Sequence, residues 1–254
     1  MAIEIVVPID APTIVAALRQ AEERHAEVVI VRLEPEFEEP PEAWPLELEA
    51  GHAGSSVRRL EVLGPADRGA SVRDVSLAAF GDGSKVVLRG VVVRGRAALN
   101  GIGCTLQDCE ARCGVEVGPE GAAALTDCLI RARGVGVAAH GGLAIERNIV
   151  EGCATGVCVY GNVAAKLAGN EFRCCSAAAM VVYCNLAAET GALLELACDI
   201  DPSNSMEDCG RRLEVQVAVE GAAPLVFADA WPLPAGPHAA VRRRGDPVDV
   251  EVLP

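Results

Sequence analysis

Aromatic residues and long apolar runs are scarce in this 254-residue chain. Phe, Trp and Tyr together make up 3% of it, so an interior built mainly on aromatic rings is excluded and the core must be aliphatic. No run of eighteen apolar residues occurs, which predicts no membrane insertion. The start of the sequence lacks a basic segment followed by an apolar one, so we expect no secretory signal.

Motifs for metal binding and nucleophilic catalysis are also missing. The four histidines are scattered and no Cys-x-x-Cys pair is present, so we predict no metal and no cofactor. Ser and Thr are rare near any histidine, which leaves no nucleophile with an adjacent base. The formal net charge of −14 would repel a polyanion, and we therefore predict no nucleic acid partner.

What the sequence does contain is an internal repeat with steps of 18 to 22 residues. Three columns recur in each repeat. The first is aliphatic, the second is Val, Cys or Asn three residues later, and the third is apolar two residues after that. The columns are Leu88, Leu106, Leu125, Ile145, Leu167; then Val91, Cys109, Cys128, Asn148, Asn170; then Val93, Ala111, Ile130, Val150, Phe172.

Each repeat is predicted to be extended rather than helical. Apolar residues alternate with polar or small ones, and glycines recur every few residues, at a cost of roughly 1 kcal/mol each in a helix. A period near twenty with strand-like alternation indicates a solenoid whose turns stack in parallel. A further apolar pair is predicted to face inward in each of four turns: Val115 and Val117, Val135 and Val137, Val157 and Val159, Ala179 and Val181.

Over about residues 13 to 185 the columns resemble the right-handed parallel β-helix of the pectin-lyase-like superfamily. Asn148 and Asn170 stand at the position where that family stacks a ladder of asparagines, whereas Val91, Cys109 and Cys128 depart from it. The resemblance implies an all-β fold: a right-handed parallel β-helix solenoid with a short N-terminal capping α-helix and a β-rich C-terminal cap.

Three regions are predicted along the chain. Residues 1–54 form an N-terminal cap with a helix over 12–25, a strand over 28–33 and an acidic, proline-rich loop over 34–45. That loop is expected to be exposed, with Phe37 and Trp44 as anchors if it binds a basic partner. Residues 55–186 form the coils. Residues 187–254 form the C-terminal cap or subdomain, with strands over 193–198, 213–219 and 225–227 and a final hairpin near residue 245; whether it continues the solenoid is left open.

Eleven cysteines, an odd number, favour free thiols over a disulfide framework. Cys109 and Cys128 fall in an inward column, and Cys113, Cys153 and Cys175 have nearly equivalent offsets that predict a second stack. Buried thiols behave as small apolar groups, although stacked turns also bring them within bridging distance. We expect the cytoplasm or another reducing intracellular compartment.

Two carboxylates are the candidates for catalysis. Asp108 and Asp127 directly precede the ladder column on consecutive turns, about 5 Å apart, which is close to the carboxylate separation of retaining glycosidases. Arg147 follows on the next turn. A charge-balanced surface stripe would have the same pattern.

A column of arginines follows three residues after the ladder. Guanidinium groups on one face of a rod can bind carboxylates bidentately, or they can form ordinary surface ion pairs with nearby glutamates. Tyr160 is an exposed aromatic that would suit a sugar ring. The candidate binding residues are Arg94, Arg112, Arg131, Arg173 and Tyr160.

The short corners between repeats leave no groove over Asp108, and the sequence is more similar to β-helices that serve as recognition or scaffolding modules than to enzymes. We therefore predict a non-catalytic scaffold or protein-binding module, of a kind that can serve as one subunit of a larger assembly. The alternative is a polysaccharide-active lyase or hydrolase that uses Asp108 and Asp127.

Overall fold

The computed structural model describes residues 1–40, 45–161, 163–186, 193–195, 198–219, 225–228, 240–244 and 249–253. Within these ranges the chain consists of short parallel strands wound into a solenoid, with one α-helix near the N-terminus. The predicted all-β fold is confirmed.

The N-terminal cap contains β1 (Ala2–Val7), α1 (Ile14–Glu23) and β2 (Val28–Leu33). Helix α1 begins after Thr13, whose extended backbone and side-chain hydrogen bond to Ala16 N form an N-cap. Its apolar face buries Ile14 and Ala17 over the end of the solenoid. The predicted helix and strand are both present, and β1 adds a parallel partner to β2.

The solenoid begins with β2 and β3 (Leu46–Ala50), and seven turns follow that each place one strand in sheets A, B and C, in that order. Between the sixth and seventh of these turns, β22 (Leu193–Glu195) belongs to a separate sheet. The turns are β4 (Arg59–Leu63), β5 (Ala70–Val72), β6 (Val75–Ala79); β7 (Lys85–Arg89), β8 (Val91–Val93), β9 (Ala97–Leu99); β10 (Ile102–Gln107), β11 (Glu110–Ala111), β12 (Val115–Val117); β13 (Ala122–Thr126), β14 (Leu129–Arg131), β15 (Val135–Ala139); β16 (Gly142–Glu146), β17 (Ile149–Glu151), β18 (Thr155–Tyr160); β19 (Ala165–Ala168), β20 (Glu171–Arg173), β21 (Ala178–Leu186); and β23 (Cys198–Ile200), β24 (Ser205–Glu207), β25 (Leu213–Val219).

The strand register confirms the first and third sequence columns. Leu106 pairs with both Leu88 and Leu125, and Ile130 pairs with both Ala111 and Val150. These aliphatic residues are almost fully buried and stack along the interior. The stacking buries one apolar side chain from each sheet at every turn, which is the main stabilising contribution to a solenoid.

The prediction for the third strand of each turn was partly wrong. Val115 pairs with Val137 rather than with Val135, which lies half-buried on the outer face. In β21 the main core takes Ala179 as predicted, together with Met180 and Val182, whereas Val181 packs in a small outer cluster with Cys158.

The ladder column is buried and hydrogen-bonded along the solenoid axis. Asn148 Oδ1 accepts from Cys128 N at 2.9 Å, and Asn170 Oδ1 accepts from Asn148 Nδ2 at 3.0 Å. Asn204, which lies beyond the last repeat identified in the sequence, adds a third amide, whose oxygen is 2.9 Å from Asn170 Nδ2. These bonds satisfy polar backbone groups where the chain bends between sheets A and B.

The acidic loop is not wholly exposed as predicted. Phe37 is buried in the main core, and Glu39 is fully buried with its carboxylate accepting from Ile14 N at 3.1 Å, at the start of α1. Phe37 is therefore not available as an anchor for a partner. Trp44 lies outside the described residues.

The solenoid extends further at both ends than the predicted coil region of 55–186. Strands β2 and β3 already pair in register with the following turn, and β23, β24 and β25 add a turn after residue 186. Antiparallel pairs then follow: β26 (Leu225–Ala228) on β25, and β27 (Ala240–Arg244) with β28 (Asp249–Leu253) as the predicted final hairpin strands.

All eleven cysteines are free in the structure. Cys109 and Cys128 contact each other in the ladder column, and this contact, together with burial, raises the pKa of the Cys128 thiol. The second stack consists of Cys153, Cys175 and Cys209. The prediction that Cys113 belongs to it was wrong, because Cys113 is exposed.

Candidate functional site

The residues just before the ladder share a backbone conformation. Asp108, Asp127 and Arg147 have φ values of 52°, 56° and 58°, and Gly90 and Gly169 at the equivalent positions have 68° and 63°. This left-handed region is open to Gly and tolerated by Asp, and it is unfavourable for most other residues. The geometry of this bend between sheets A and B therefore explains why Asp and Gly recur there, independently of any catalytic use.

Asp108 is held by an arginine from an earlier turn. Arg68 Nη2 donates to Asp108 Oδ1 at 2.6 Å, and Arg68 Nε donates to the backbone oxygen of Asp108 at 3.0 Å. The same guanidinium also reaches the backbone oxygen of Asp127 at 3.4 Å. Arg68 thus fastens the loop after β4 to two successive bends.

Asp127 is held by Arg147 through two parallel hydrogen bonds, both of 2.9 Å. These bonds hold the pKa of the Asp127 carboxyl below its ordinary value. The three residues lie on consecutive turns, and each carboxylate is paired with a different arginine.

Such an arrangement is chemically better suited to fastening turns than to acid catalysis. Glycoside hydrolysis requires one carboxyl group to remain protonated as a general acid, which calls for a raised pKa. Asp127 has the opposite shift. Among the described residues, no group of three or more His, Cys, Asp or Glu side chains is placed to hold a metal ion.

The arginine column lies on the outer face of sheet B, and the register places its members on adjacent turns. Arg131 pairs across the sheet with Glu151, and Glu151 pairs with Arg173. Glutamates interleave with the arginines: Arg112 contacts Glu110 at 2.9 Å, and Arg131 bridges Glu110 at 3.2 Å and Glu151 at 2.5 Å.

The remaining two members of the column are also paired. Arg94 contacts Glu38 at 2.8 Å, and Arg173 contacts Glu171 at 2.6 Å. These side chains are roughly half exposed, so each pair contributes at most about 1 kcal/mol to stability. The guanidinium groups therefore remain accessible for exchange with a ligand's carboxylates.

A cavity of about 520 Å³ opens beside this column, a size typical of ligand sites. Three of its lining residues have small side chains or none, and a Cβ atom added to Gly152 would meet no other atom within 4 Å. We call it the arginine groove, lined by Arg112, Arg131, Ala132, Arg133, Glu151, Gly152, Arg173 and Cys174. Three of the four predicted arginines line it; Arg94 does not.

Arg133 was missed by the sequence reasoning because it lies in the bend between β14 and β15, two residues beyond the column. It is exposed, and no ion pair to it is formed within the described ranges. Its position in the groove gives the site a cation whose charge is not already neutralised. The only sequence signal was the alternation of Arg131 and Arg133 around a small residue.

Tyr160 belongs to a separate feature on sheet C. Its ring stacks on His140 with centroids 4.4 Å apart and on Tyr183 at 5.1 Å, with interplanar angles of 6° and 5°. A hydrogen bond with Cys158, together with burial, raises the pKa of the Tyr160 hydroxyl. Both faces of the Tyr160 ring are thus covered by its neighbours, which makes it a poor platform for a sugar ring.

Residues 89–209 match the family model described as right handed beta helix region. The chain therefore contains a right-handed β-helix. Comparisons with curated proteins and with solved structures found no match. The match supports the β-helix architecture, in which the outer faces of the sheets are the surfaces available to ligands and partners.

In the described parts of the β-helix and its caps, no helix has the length and apolar character needed to cross a bilayer.

Proposed function

We propose that this β-helix is a non-catalytic binding module that docks an acidic region of another protein in the arginine groove. The observation that carries the proposal is the grouping of Arg112, Arg131, Arg133 and Arg173 around one cavity of about 520 Å³. Arginine is the residue best suited to bind carboxylates at an interface, because its planar group forms two parallel hydrogen bonds.

The charge distribution supports an acidic partner of limited size. The chain as a whole has a formal charge of −14, so a long polyanion would be repelled outside the groove. A short acidic segment of a protein would contact the local cluster of arginines and extend little beyond it. Protein docking thus fits the charge pattern better than binding of nucleic acid.

The second candidate function is a polysaccharide-active enzyme that uses Asp108 and Asp127 with Arg147. The proximity of two carboxylates on consecutive turns favours it. Their separate pairing with Arg68 and Arg147, and the lowered pKa of Asp127, support the docking function instead.

We also propose that the protein works in a reducing compartment such as the cytoplasm. Eleven free thiols, several of them stacked in contact, support this proposal. In an oxidising compartment, thiols on adjacent turns of a parallel sheet would be close enough to form disulfides.

The docking function is tested by exchanging one charge in the groove. Arg133→Glu removes a cation that forms no ion pair in the described structure, and Arg19→Glu makes the same charge change on the exposed face of α1, remote from sheet B. A partner captured by the wild-type protein should bind Arg133→Glu at least tenfold more weakly and Arg19→Glu equally well. Binding of the wild-type protein should weaken with salt.

Equal binding of that partner by all three proteins would show that the groove is not the docking site. The enzymatic alternative is tested by incubating the protein with uronate-containing and neutral polysaccharides, with and without calcium. Cleavage that is lost in a folded Asp127→Asn variant would overturn the docking proposal.

A further inference from the structure

The first arginine of the column already binds a glutamate from an extended, proline-flanked segment of the same chain. Glu38 lies between Pro35 and Pro40, forms a parallel β-bridge with Ser71 of β5, and places its carboxylate 2.8 Å from Arg94. The segment lies beside β5 and parallel to it, with Phe37 and Glu39 buried on either side of the exposed Glu38. This intramolecular contact shows that an arginine of the column can hold a glutamate carboxylate from another segment.

The following turns offer the same kind of group without such a segment in the described structure. The side chains of Arg112, Arg131 and Arg173 are 51%, 48% and 41% exposed. Arg133 lines the groove together with them. Glu38 thus occupies Arg94 at one end of the column, and the arginine groove is the part left open to a carboxylate-bearing peptide.

The order of charges along the groove restricts the spacing of a bound peptide's carboxylates. Arg131 and Arg173 are two turns apart, with Glu151 between them. A carboxylate at the Glu151 turn would face a like charge, whereas uncharged residues there would not. The groove therefore favours two acidic residues separated by uncharged ones over a continuous acidic run.

The distance between the two arginine turns selects the backbone conformation. Two strand spacings of a sheet are about 9.6 Å. Three residues of a polyproline II helix advance about 9.3 Å, which places every third side chain at that interval. In a β-strand, side chains on one face recur at about 6.8 Å, which matches neither one turn nor two.

From these contacts and spacings we propose that the arginine groove binds a proline-rich acidic segment of a partner protein in polyproline II conformation, with glutamates three residues apart. This inference rests on the proposed docking function and names the partner's chemistry. In the bound segment the glutamates contact Arg131 and Arg173, and the uncharged residues between them lie against Ala132, Gly152 and Cys174. Arg133, which lines the same groove, adds a positive charge that attracts the segment.

Three synthetic peptides of equal length test the inference. The first contains four Glu-Pro-Pro repeats, the second has the same composition with its four glutamates contiguous, and the third replaces every glutamate of the first with glutamine. We expect the first to bind at least fivefold more tightly than the second, and the third not to bind. Arg133→Gln should weaken binding of the first peptide severalfold, whereas Arg19→Gln should not.

Occupation of the groove can be followed at Cys174, an exposed thiol in its lining. The first peptide should slow the labelling of Cys174 by a maleimide, and the glutamine peptide should leave it unchanged. Unchanged labelling in the presence of a saturating concentration of bound first peptide would overturn the assignment to the groove.

The remaining outcomes separate this inference from the docking function. If the spaced and contiguous peptides bind equally, the inference is overturned while docking through arginines stands. The same holds if neither peptide binds but a captured partner still requires Arg133. If neither peptide binds and no partner requires Arg133, both are overturned. Tighter binding of inorganic polyphosphate than of the first peptide would overturn the choice of a peptide as ligand.

Discussion

Asn148 Nδ2 donates a hydrogen bond of 3.0 Å to Asn170 Oδ1, one turn further along the interior of the β-helix. The same amide accepts from Cys128 N at 2.9 Å and donates to Leu125 O at 2.9 Å. One side chain thus connects three successive turns at the bend between sheets A and B. The thiols that occupy this column on the two preceding turns only donate to backbone oxygens, as Cys128 Sγ does to Leu106 O at 3.5 Å, whereas the amide also accepts from a backbone N–H.

Replacing Asn148 with Ala should therefore destabilise the protein by about 3 kcal/mol, because it leaves buried donors and acceptors without partners, each costing about 1–3 kcal/mol. Cys128→Ala is the matched control, since it removes a buried side chain of the same column without an amide, and should cost about 1 kcal/mol. Urea unfolding followed by circular dichroism measures both. Equal losses for the two variants would mean that the column is held by packing alone.

The inward column at Ile130 predicts a much larger effect. Ile130 is fully buried between Ala111 and Val150, so Ile130→Asp would bury a charge with no partner and should prevent folding at 25 °C. Leu129→Asp, at the half-buried outward neighbour, should leave a folded protein. A melting transition for Ile130→Asp close to that of the wild-type protein would contradict the inward assignment.

The left-handed backbone at Asp127 allows the structural role of this residue to be separated from a catalytic one. Asp127→Gly keeps a residue that adopts φ of 56° easily and removes only a half-exposed ion pair, so it should change stability by no more than about 1 kcal/mol. Asp127→Val places a β-branched residue in the same conformation and should cost about 1–3 kcal/mol. Thermal unfolding of the two variants provides the comparison, and a Gly variant less stable than the Val variant would refute this explanation.

The repeat made the fold predictable because each aliphatic column of sheets A and B is separated from its neighbours by a constant short bend. The inward residues of the third strand of each turn, in sheet C, were harder to predict. In β21 the run from Ala178 to Tyr183 is apolar on both faces, so alternation of period two cannot distinguish inside from outside. Cys209 was not predicted to join the second thiol stack because it lies 34 positions after Cys175, beyond the point where the repeat spacing is lost and after the unpredicted strand β24.

The candidate site was predictable only where it follows the repeat. Arg112, Arg131 and Arg173 recur at the repeat spacing and were identified, whereas Arg133 and Arg68 occur once each, in bends. Arg68 lies 40 residues before Asp108 in the chain, and only the winding of the turns brings the two together. Contacts formed by single residues in bends carry no periodic signal.

Burial of Glu39 predicts a pH-dependent stability. Removal from water raises the pKa of this carboxyl, although hydrogen bonds from the N–H groups of Ile14 and Val15 oppose the shift. Because the folded protein then binds the proton more tightly than the unfolded chain, this residue contributes most to stability below its ordinary pKa of 4.5. That contribution is lost as the pH rises through the raised pKa of the folded state.

The free energy of unfolding of Glu39→Gln should accordingly lack this decrease with rising pH, because the amide does not titrate. Glu36→Gln, an exposed neighbour in the same loop, serves as the control and should retain the wild-type profile. Urea unfolding at half-unit intervals from pH 4 upward makes the comparison. If the Glu39→Gln and wild-type profiles run parallel, Glu39 is not the titrating group.

The exposure of the thiols gives the last prediction. In the native protein, Cys113 and Cys174 should react quickly with a maleimide because both are exposed, and half-buried Cys209 should react more slowly. Cys109 and Cys128 should remain unmodified until the protein unfolds, because reaction requires contact between the thiolate and the reagent and both side chains are buried. Mass spectrometry of labelled peptides before and after denaturation identifies the reacting residues. Rapid labelling of Cys109 or Cys128 in the native protein would show that the ladder column is not inside the β-helix. The assignment of the arginine column to the outer face would then also be wrong.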